Sequence, residues 1–337
     1  MTALIFDTWG DETVSKNYFH FKLGYLLPVA SHCLRNRAKI LARSEPVICR
    51  SCSPALDAVL HQLAEILCLP IELEDKAAPI FRTAQAKLMP RWDMHFGRRR
   101  LLDIAENGVN DPDRRPVATQ PAIDARNTAT KRPMDRLRQR FFLRASCARV
   151  DKEMQVVRHA LQNRLGIEQR MSENQASSVL ILRRAPSQPQ SQERDIVSGA
   201  ARRALVGTDT LQHQVTSIGL PADVYEPGSD TLRGQIKRFS QCRGVIALRG
   251  AEIANCFWMA RGAFLIIANP KAMGRLHRMH NRFFERLGLS VQEIEPLFEN
   301  EKDYRISANQ LEGALETVVA ASDCYQRTDA SKLGLQI

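Results

Sequence analysis

The sequence predicts an α/β protein built from two parallel-sheet domains. The chain has 337 residues, too many for one ordinary core and suited to two domains of roughly 150 residues each. Short apolar runs alternate with amphipathic stretches on both sides of a basic middle, the pattern of strands joined by crossover helices. Between them, residues 107–133 turn polar, with four prolines and no period, as a long loop or flexible insertion would.

The elements follow in order. Ala3-Leu4-Ile5-Phe6 reads as a short buried strand, and Tyr18 to Leu34 as a helix with an apolar face. Pro46-Val47-Ile48-Cys49 is a strand, and Ser53-Pro54 opens a helix to about Leu67, serine as cap and proline in the first turn. Apolar runs at 69–73 and 86–89 complete this half. A basic helix over 134–165 is expected to end at Gly166. The second half is more regular, with strands at Ser178–Leu182, Ala222–Tyr225, Gly244–Leu248 and Ala263–Ala268. Helices are expected at about 194–206, 231–241, 251–259, 275–287 and 309–325. The domains expected are therefore 1–165 and 175–330, both Rossmann-like and facing each other across a cleft.

Hydrophobic residues make up 44% and charged residues 25% of the chain, ordinary for a globular protein. No run reaches the roughly 18 apolar residues of a membrane helix. The start, Met1 to Asp7, lacks a basic leader and meets an acid early, so no secretion signal is expected and a cytoplasmic location is. None of the eight cysteines completes a paired zinc motif; Cys49 and Cys52 have the spacing without a second pair. Reduced thiols are the expectation. The net charge of +11 lies mainly in the first half, centred on Lys131, Arg132, Arg136, Arg138, Arg140, Arg144 and Arg149. Such a run attracts polyanions, or is a solvated helix face.

The run Val245-Ile246-Ala247-Leu248-Arg249-Gly250-Ala251-Glu252-Ile253-Ala254-Asn255 carries the chemistry. A buried strand ends, a glycine turn follows, and a helix begins. A bare glycine admits a ligand close to the backbone, the helix start offers unpaired amides to a diphosphate, and Arg249 can add a forked contact. In parallel sheets, ligands bind beyond the carboxyl ends of the strands. By itself this pattern also fits a plain strand–turn–helix unit.

From Gly219 to Pro270 the order of features resembles the catalytic domain of family-61 glycosyltransferases. The matching pieces are Gly219 to Tyr225, Gln235-Ile236, Cys242 to Ala247, Gly250-Ala251, Asn255 with Phe257, Phe264 to Ala268, and Pro270. Upstream, Leu180 to Arg184 with Arg194 resembles the family's strand–arginine motif. Phe6 to Gly10, Asn17 to Phe21, Leu27-Pro28, Cys52 to Asp57 and Pro90 to Asp93 resemble its first-domain segments. Two departures stand out: Arg249 replaces the histidine before Gly-Ala, and the usual glutamate of the next strand falls near Ile267.

The resemblance implies a GT-B-like α/β fold. It implies an inverting transfer of a sugar from a nucleotide-sugar donor to a glycan or glycolipid acceptor, in surface polysaccharide synthesis. Arg183 or Arg184 with Arg249 would neutralise the diphosphate leaving group. Gly250 and Ala251 would form the phosphate turn, Gln235 and Asn255 would fix hydroxyls, and Glu252 could stand in for the lost glutamate. His20, then Asp93, are the candidates for the base that takes the acceptor proton, and Asp7 could orient. Asp111-Pro112-Asp113 has the D-x-D form of a metal–sugar motif but sits in the proline-rich loop, so neither metal nor cofactor is expected. The expected partners are the donor, the acceptor and an anionic membrane at its inner face, with no nucleic acid. Two rivals remain open: a nucleic-acid-binding protein using residues 126–149, and a catalytically lapsed glycosyltransferase acting as a scaffold. Neutralising Arg136, Arg138, Arg140 and Arg144 together is expected to weaken binding to anionic liposomes in a flotation assay. Unchanged binding would remove the membrane from the list of partners.

Overall fold

The computed structural model describes residues 2–6, 18–75, 78–82, 86–89, 92, 133–167, 178–184, 203–270, 278–300 and 302–332. Its architecture is mixed α/β, with two parallel sheets and helices packed on them.

The first sheet comprises β1 (Thr2–Phe6), β2 (Val47–Arg50), β3 (Ile71–Glu74) and β4 (Ala86–Met89), in the order β3-β2-β1-β4 and parallel throughout. The expected first helix is broken into α1 (Tyr18–Phe21), a π-helical turn (Lys22–Leu26) and α2 (Leu27–Arg35). All five residues of the π turn are buried, Lys22 among them. Short α3 (Arg37–Arg43) follows, then α4 (Pro54–Leu67) between β2 and β3. Ser53 is extended at the start of α4, with proline in the first turn, but its side chain makes no capping bond. Asp57, inside the first turn, ties the preceding loop to the helix instead. It accepts from the Cys52 amide at 2.8 Å and the Ser51 hydroxyl at 2.6 Å, a carboxylate at the positive end of the helix.

The basic helix is α5 (Pro133–Arg164), one unbroken element. Ile167 donates its amide to Gln162 O at 3.0 Å and Gly166 lies in the left-handed region, the closing geometry expected of a helix-ending glycine. Its second half is a brace. Cys147, Met154, Val157 and Leu161 are buried. Towards the first half of the chain, Glu153 takes Arg35 at 3.1 Å. Towards the second, Arg158 donates to Met259 O at 3.1 Å, and Gln162 to Ser240 Oγ at 2.7 Å and Trp258 O at 2.8 Å.

The second sheet comprises β5 (Val179–Leu182), β7 (Ala222–Tyr225), β8 (Gly244–Leu248), β9 (Phe264–Ala268) and β10 (Ser290–Ile294), in the order β10-β9-β8-β5-β7 and again parallel. Strands β5, β8 and β9 are buried along their whole length, as a sheet covered on both faces requires. Alternate residues point to opposite sides. Leu180, Leu182, Val245, Ala247, Leu265 and Ile267 face α7 (Leu232–Gln241), the 3-10 helix Ala251–Trp258 and α8 (Arg278–Arg286). Val179, Ile181, Ile246, Leu248, Phe264 and Ile266 face α6 (Thr208–Ser217) and α9 (Ala308–Lys332). A small edge sheet joins β6 (Ala204–Leu205) to a hairpin of β11 (Leu297–Phe298) and β12 (Asp303–Arg305).

The first of these two clusters does not stop at the second sheet. It continues through Met154, Val157 and Leu161 of α5 into Leu4, Val47, Cys49 and Ile71 of the first sheet. One core thus serves both sheets. The expected division between 165 and 175 falls mostly on 168–177, outside the described residues, as does the insertion up to residue 132. Three local expectations are corrected. The helix read to Val206 is strand β6 by Ala204. The helix at 251–259 is a 3-10 helix. Helix α6 and strand β10 stand where no element was expected.

Because one core spans both sheets, urea unfolding followed by circular dichroism and by tryptophan fluorescence should give coincident single transitions. Gln162→Leu leaves the buried Trp258 carbonyl without that donor and should cost about 1–3 kcal/mol, lowering the urea midpoint by both probes alike. Separated transitions would show two independent cores.

Candidate functional site

The strand order of the second sheet reverses between β5 and β8. The chain runs from β5 outward to β7, then crosses to β8 on the other side and continues through β9 to β10. At such a switch point the connections diverge and leave a crevice beyond the carboxyl ends of the two strands. Ile181 pairs with Ile246, so three residues further on Arg184 lies level with Arg249.

The two arginines do meet there. Arg184 donates from Nη2 to Arg249 O at 3.2 Å and from Nη1 to Arg203 O at 3.0 Å. Its Nε lies 3.4 Å from Glu252 Oε2 in an ion pair, with the Arg184 side chain 8% exposed and that of Glu252 24%. Gly250 is extended, with φ of −175°, a conformation open to any residue. The need for glycine is steric: a Cβ at this position would coincide with the Arg184 guanidinium and press on Glu252. A valine here would therefore disturb the fold, because the space beside the backbone already holds a side chain of the protein itself.

Arg249 is buried rather than held out at the strand tip. Burial lowers its pKa to about 10, against the opposing pull of Glu293 and with the help of Arg203. Its Nη1 donates to Asn269 Oδ1 at 3.1 Å, Asn269 donates to Glu293, and Asn281 donates to the other oxygen of Glu293. Glu293 lies in register with Ile267 on the adjacent strand. An acid therefore sits one strand over from the position where the sequence lacks one. Arg203, Asn269 and Glu293 carry no local signal: Ser290–Ile294 is half-exposed and mixes polar with apolar residues, 203–205 reads as the end of a helix, and Asn269 gains its role only from Arg249 and Glu293 in space.

Gln235 and Asn255 belong to a different cluster. Tyr18 donates to Gln235 Oε1 at 2.8 Å and approaches Asn255 Oδ1 at 3.5 Å. Lys22 donates to Asn255, and its Nζ lies 4.7 Å from the Trp258 ring centre. Gln235 spends its amide hydrogens on Pro227 O at 2.8 Å and Asp230 O at 3.1 Å. Both polar side chains are thus engaged in joining the start of the chain to the second sheet's helices. Burial lowers the Lys22 pKa well below the usual lysine value, and it raises that of Tyr18, with the Glu252 charge adding to the shift. The Glu252 charge thus acts on Arg184 and on Tyr18 alike.

His20 is half-buried on α1, edge-on to Phe19 with ring centres 5.8 Å apart. Arg183 is exposed and pairs with Glu226 at 3.3 Å. The structure thus separates the two arginines after β5, Arg184 turning toward Arg249, Gly250 and Glu252 and Arg183 away from them. Ala251 opens the 3-10 helix directly after Gly250. Asp93, Asp7, Arg194 and the Asp111–Asp113 motif lie outside the described residues, as do the side chains of Arg136, Arg138 and Arg140. Among the described residues no group of three His, Cys, Asp or Glu could hold a metal ion, and no helix is long and apolar enough to cross a membrane. No protein-family model matches the chain, and no curated protein matches it.

The lowered Lys22 pKa has a definite sign. The folded state disfavours the ammonium, so Lys22 subtracts stability below its folded pKa, and this cost disappears as pH rises towards 10.5. Stability should therefore rise with pH in that interval. Lys22→Met should flatten the rise in urea-derived stability, and an unchanged slope would mean that Lys22 is charged in place.

Proposed function

We propose that the chain is a nucleotide-sugar-dependent glycosyltransferase of the two-domain GT-B type, with the donor diphosphate at the switch-point crevice of the second sheet. The observation that carries the reading is the convergence of Arg184 and Arg249 at the carboxyl ends of β5 and β8, where Gly250 has no side chain to keep the Arg184 guanidinium away. Parallel sheets bind phosphates at this place, with main-chain amides at the start of the next element. Arg184 offers a planar, permanently charged donor. Arg249 and Arg203 add positive potential behind it.

The chemistry follows from the leaving group. Breaking the bond between the sugar and the diphosphate builds negative charge on the phosphate oxygens, and fixed cations in a partly dry crevice stabilise that charge more than they stabilise the ground state. Two parallel sheets joined through one brace supply a second surface for the acceptor. His20 is the candidate on that side to accept the acceptor hydroxyl's proton as the hydroxyl attacks the sugar from the face opposite the diphosphate. Gln235 and Asn255, held by Tyr18 and Lys22, position the two halves, and the acceptor is a glycan or glycolipid.

The test is calorimetry of nucleoside diphosphates with the wild type and Arg184→Ala. A charged hydrogen bond contributes about 1.5–3 kcal/mol, so the affinity of whichever diphosphate binds should fall by about ten- to a hundredfold. A folded variant that binds as tightly as the wild type would move the donor elsewhere.

A further inference from the structure

The Arg184 guanidinium has three working edges, and two of them are committed. Nη1 and Nη2 each hold a main-chain carbonyl, of Arg203 and of Arg249. The third edge, at Nε, faces Glu252 Oε2 at 3.4 Å. That contact is an ion pair without a hydrogen bond: both atoms are buried, and neither has a hydrogen-bond partner among the described residues. A buried carboxylate oxygen without a donor is costly. The cost is tolerated here because the guanidinium charge lies opposite.

Glu252 is also the movable partner. It is the second residue of the 3-10 helix, and its side chain keeps 24% of its surface in solvent, against 8% for Arg184. Arg184 is pinned by two carbonyls, whereas the carboxylate can turn outward. The place it would vacate lies beside Gly250 and the Arg184 guanidinium, where the helix begins.

We propose that Glu252 is an internal competitor for the pyrophosphate group that this crevice takes. Its carboxylate occupies the Nε edge of Arg184 in the empty protein and swings out when a phosphate oxygen arrives. The phosphate then accepts the Nε hydrogen with proper alignment, which the carboxylate does not do. This deepens, and rests on, the reading of the crevice as a diphosphate site. The consequence is selectivity by charge: a weak anion that only matches a carboxylate gains nothing by displacing Glu252, while a multiply charged diphosphate does.

The experiment uses the full chain and inorganic pyrophosphate as the probe, by calorimetry. Glu252→Gln keeps the shape and removes the charge, and melting temperatures matched to wild type confirm the fold. The variant is expected to bind pyrophosphate about tenfold more tightly than wild type. In an Arg184→Gln background the same substitution should change the affinity less than about twofold, because the competed edge is gone. Wild type binding with Glu252→Gln equal or weaker overturns the competitor and leaves the crevice reading intact. An equal gain in both backgrounds also overturns it, since the effect would then be a general field of charge. If neither wild type nor Glu252→Gln binds pyrophosphate, the crevice reading and the competitor fall together.

Discussion

The structure depends on the double burial of one parallel sheet. Strands β5, β8 and β9 carry apolar side chains to both faces, so both faces must be covered. One face is closed locally, by α6 and α9. The other is closed by α7, α8 and the 3-10 helix, and behind these lie α5 and the helices of the first sheet. The first half of the chain is therefore a part of the covering of the second. Where the covering helices needed polar groups to satisfy one another, Tyr18, Lys22, Gln235, Asn255, Ser240 and Gln162 supply them.

This division of labour explains what the arginines do. The faces of the sheet are occupied by packing, so polar side chains gather where the strands end and backbone groups run out of partners. Arg184 and Arg249 differ in use even there. Arg249 is tied through Asn269 to Glu293 and stiffens the ends of β8, β9 and β10. Arg184 crosses from β5 and lies over Gly250, held by carbonyls and facing the Glu252 carboxylate. The first is a fixed source of potential; the second presents hydrogens.

Much of the second sheet could be read in advance. Val179–Leu182, Gly244–Leu248 and Phe264–Ala268 are continuous apolar runs, and a strand buried on both faces has no other way to appear in sequence. Strand β10 was invisible because Ser290–Ile294 is half-exposed along its length and mixes glutamine and glutamate with valine and isoleucine. Helix α6 was missed because Thr208–Ser217 buries only Thr208, Leu211 and Val215, a sparse stripe. Of the candidate site, the strand end was legible and its partners were not. The Arg-Gly-Ala turn marks the strand end, but no local pattern says that Arg184 lies over Gly250, or that Gln235 and Asn255 are held by Tyr18 and Lys22. Those facts belong to register and to packing between segments more than 200 residues apart.

That distance has a consequence for how the molecule is born. Lys22 and Asn255 are separated by 233 positions. At a ribosomal pace of about 5–20 residues per second, Asn255 emerges roughly 12–50 s after Lys22. Throughout that interval the amine is in water and holds its proton, since nothing yet buries it. The start of the chain can reach its final place only after the second half exists, and the buried place it then enters disfavours the ammonium. Docking of the two halves is thus a late step, and the nascent first half waits with its apolar helix face uncovered until the segment that completes it has been made.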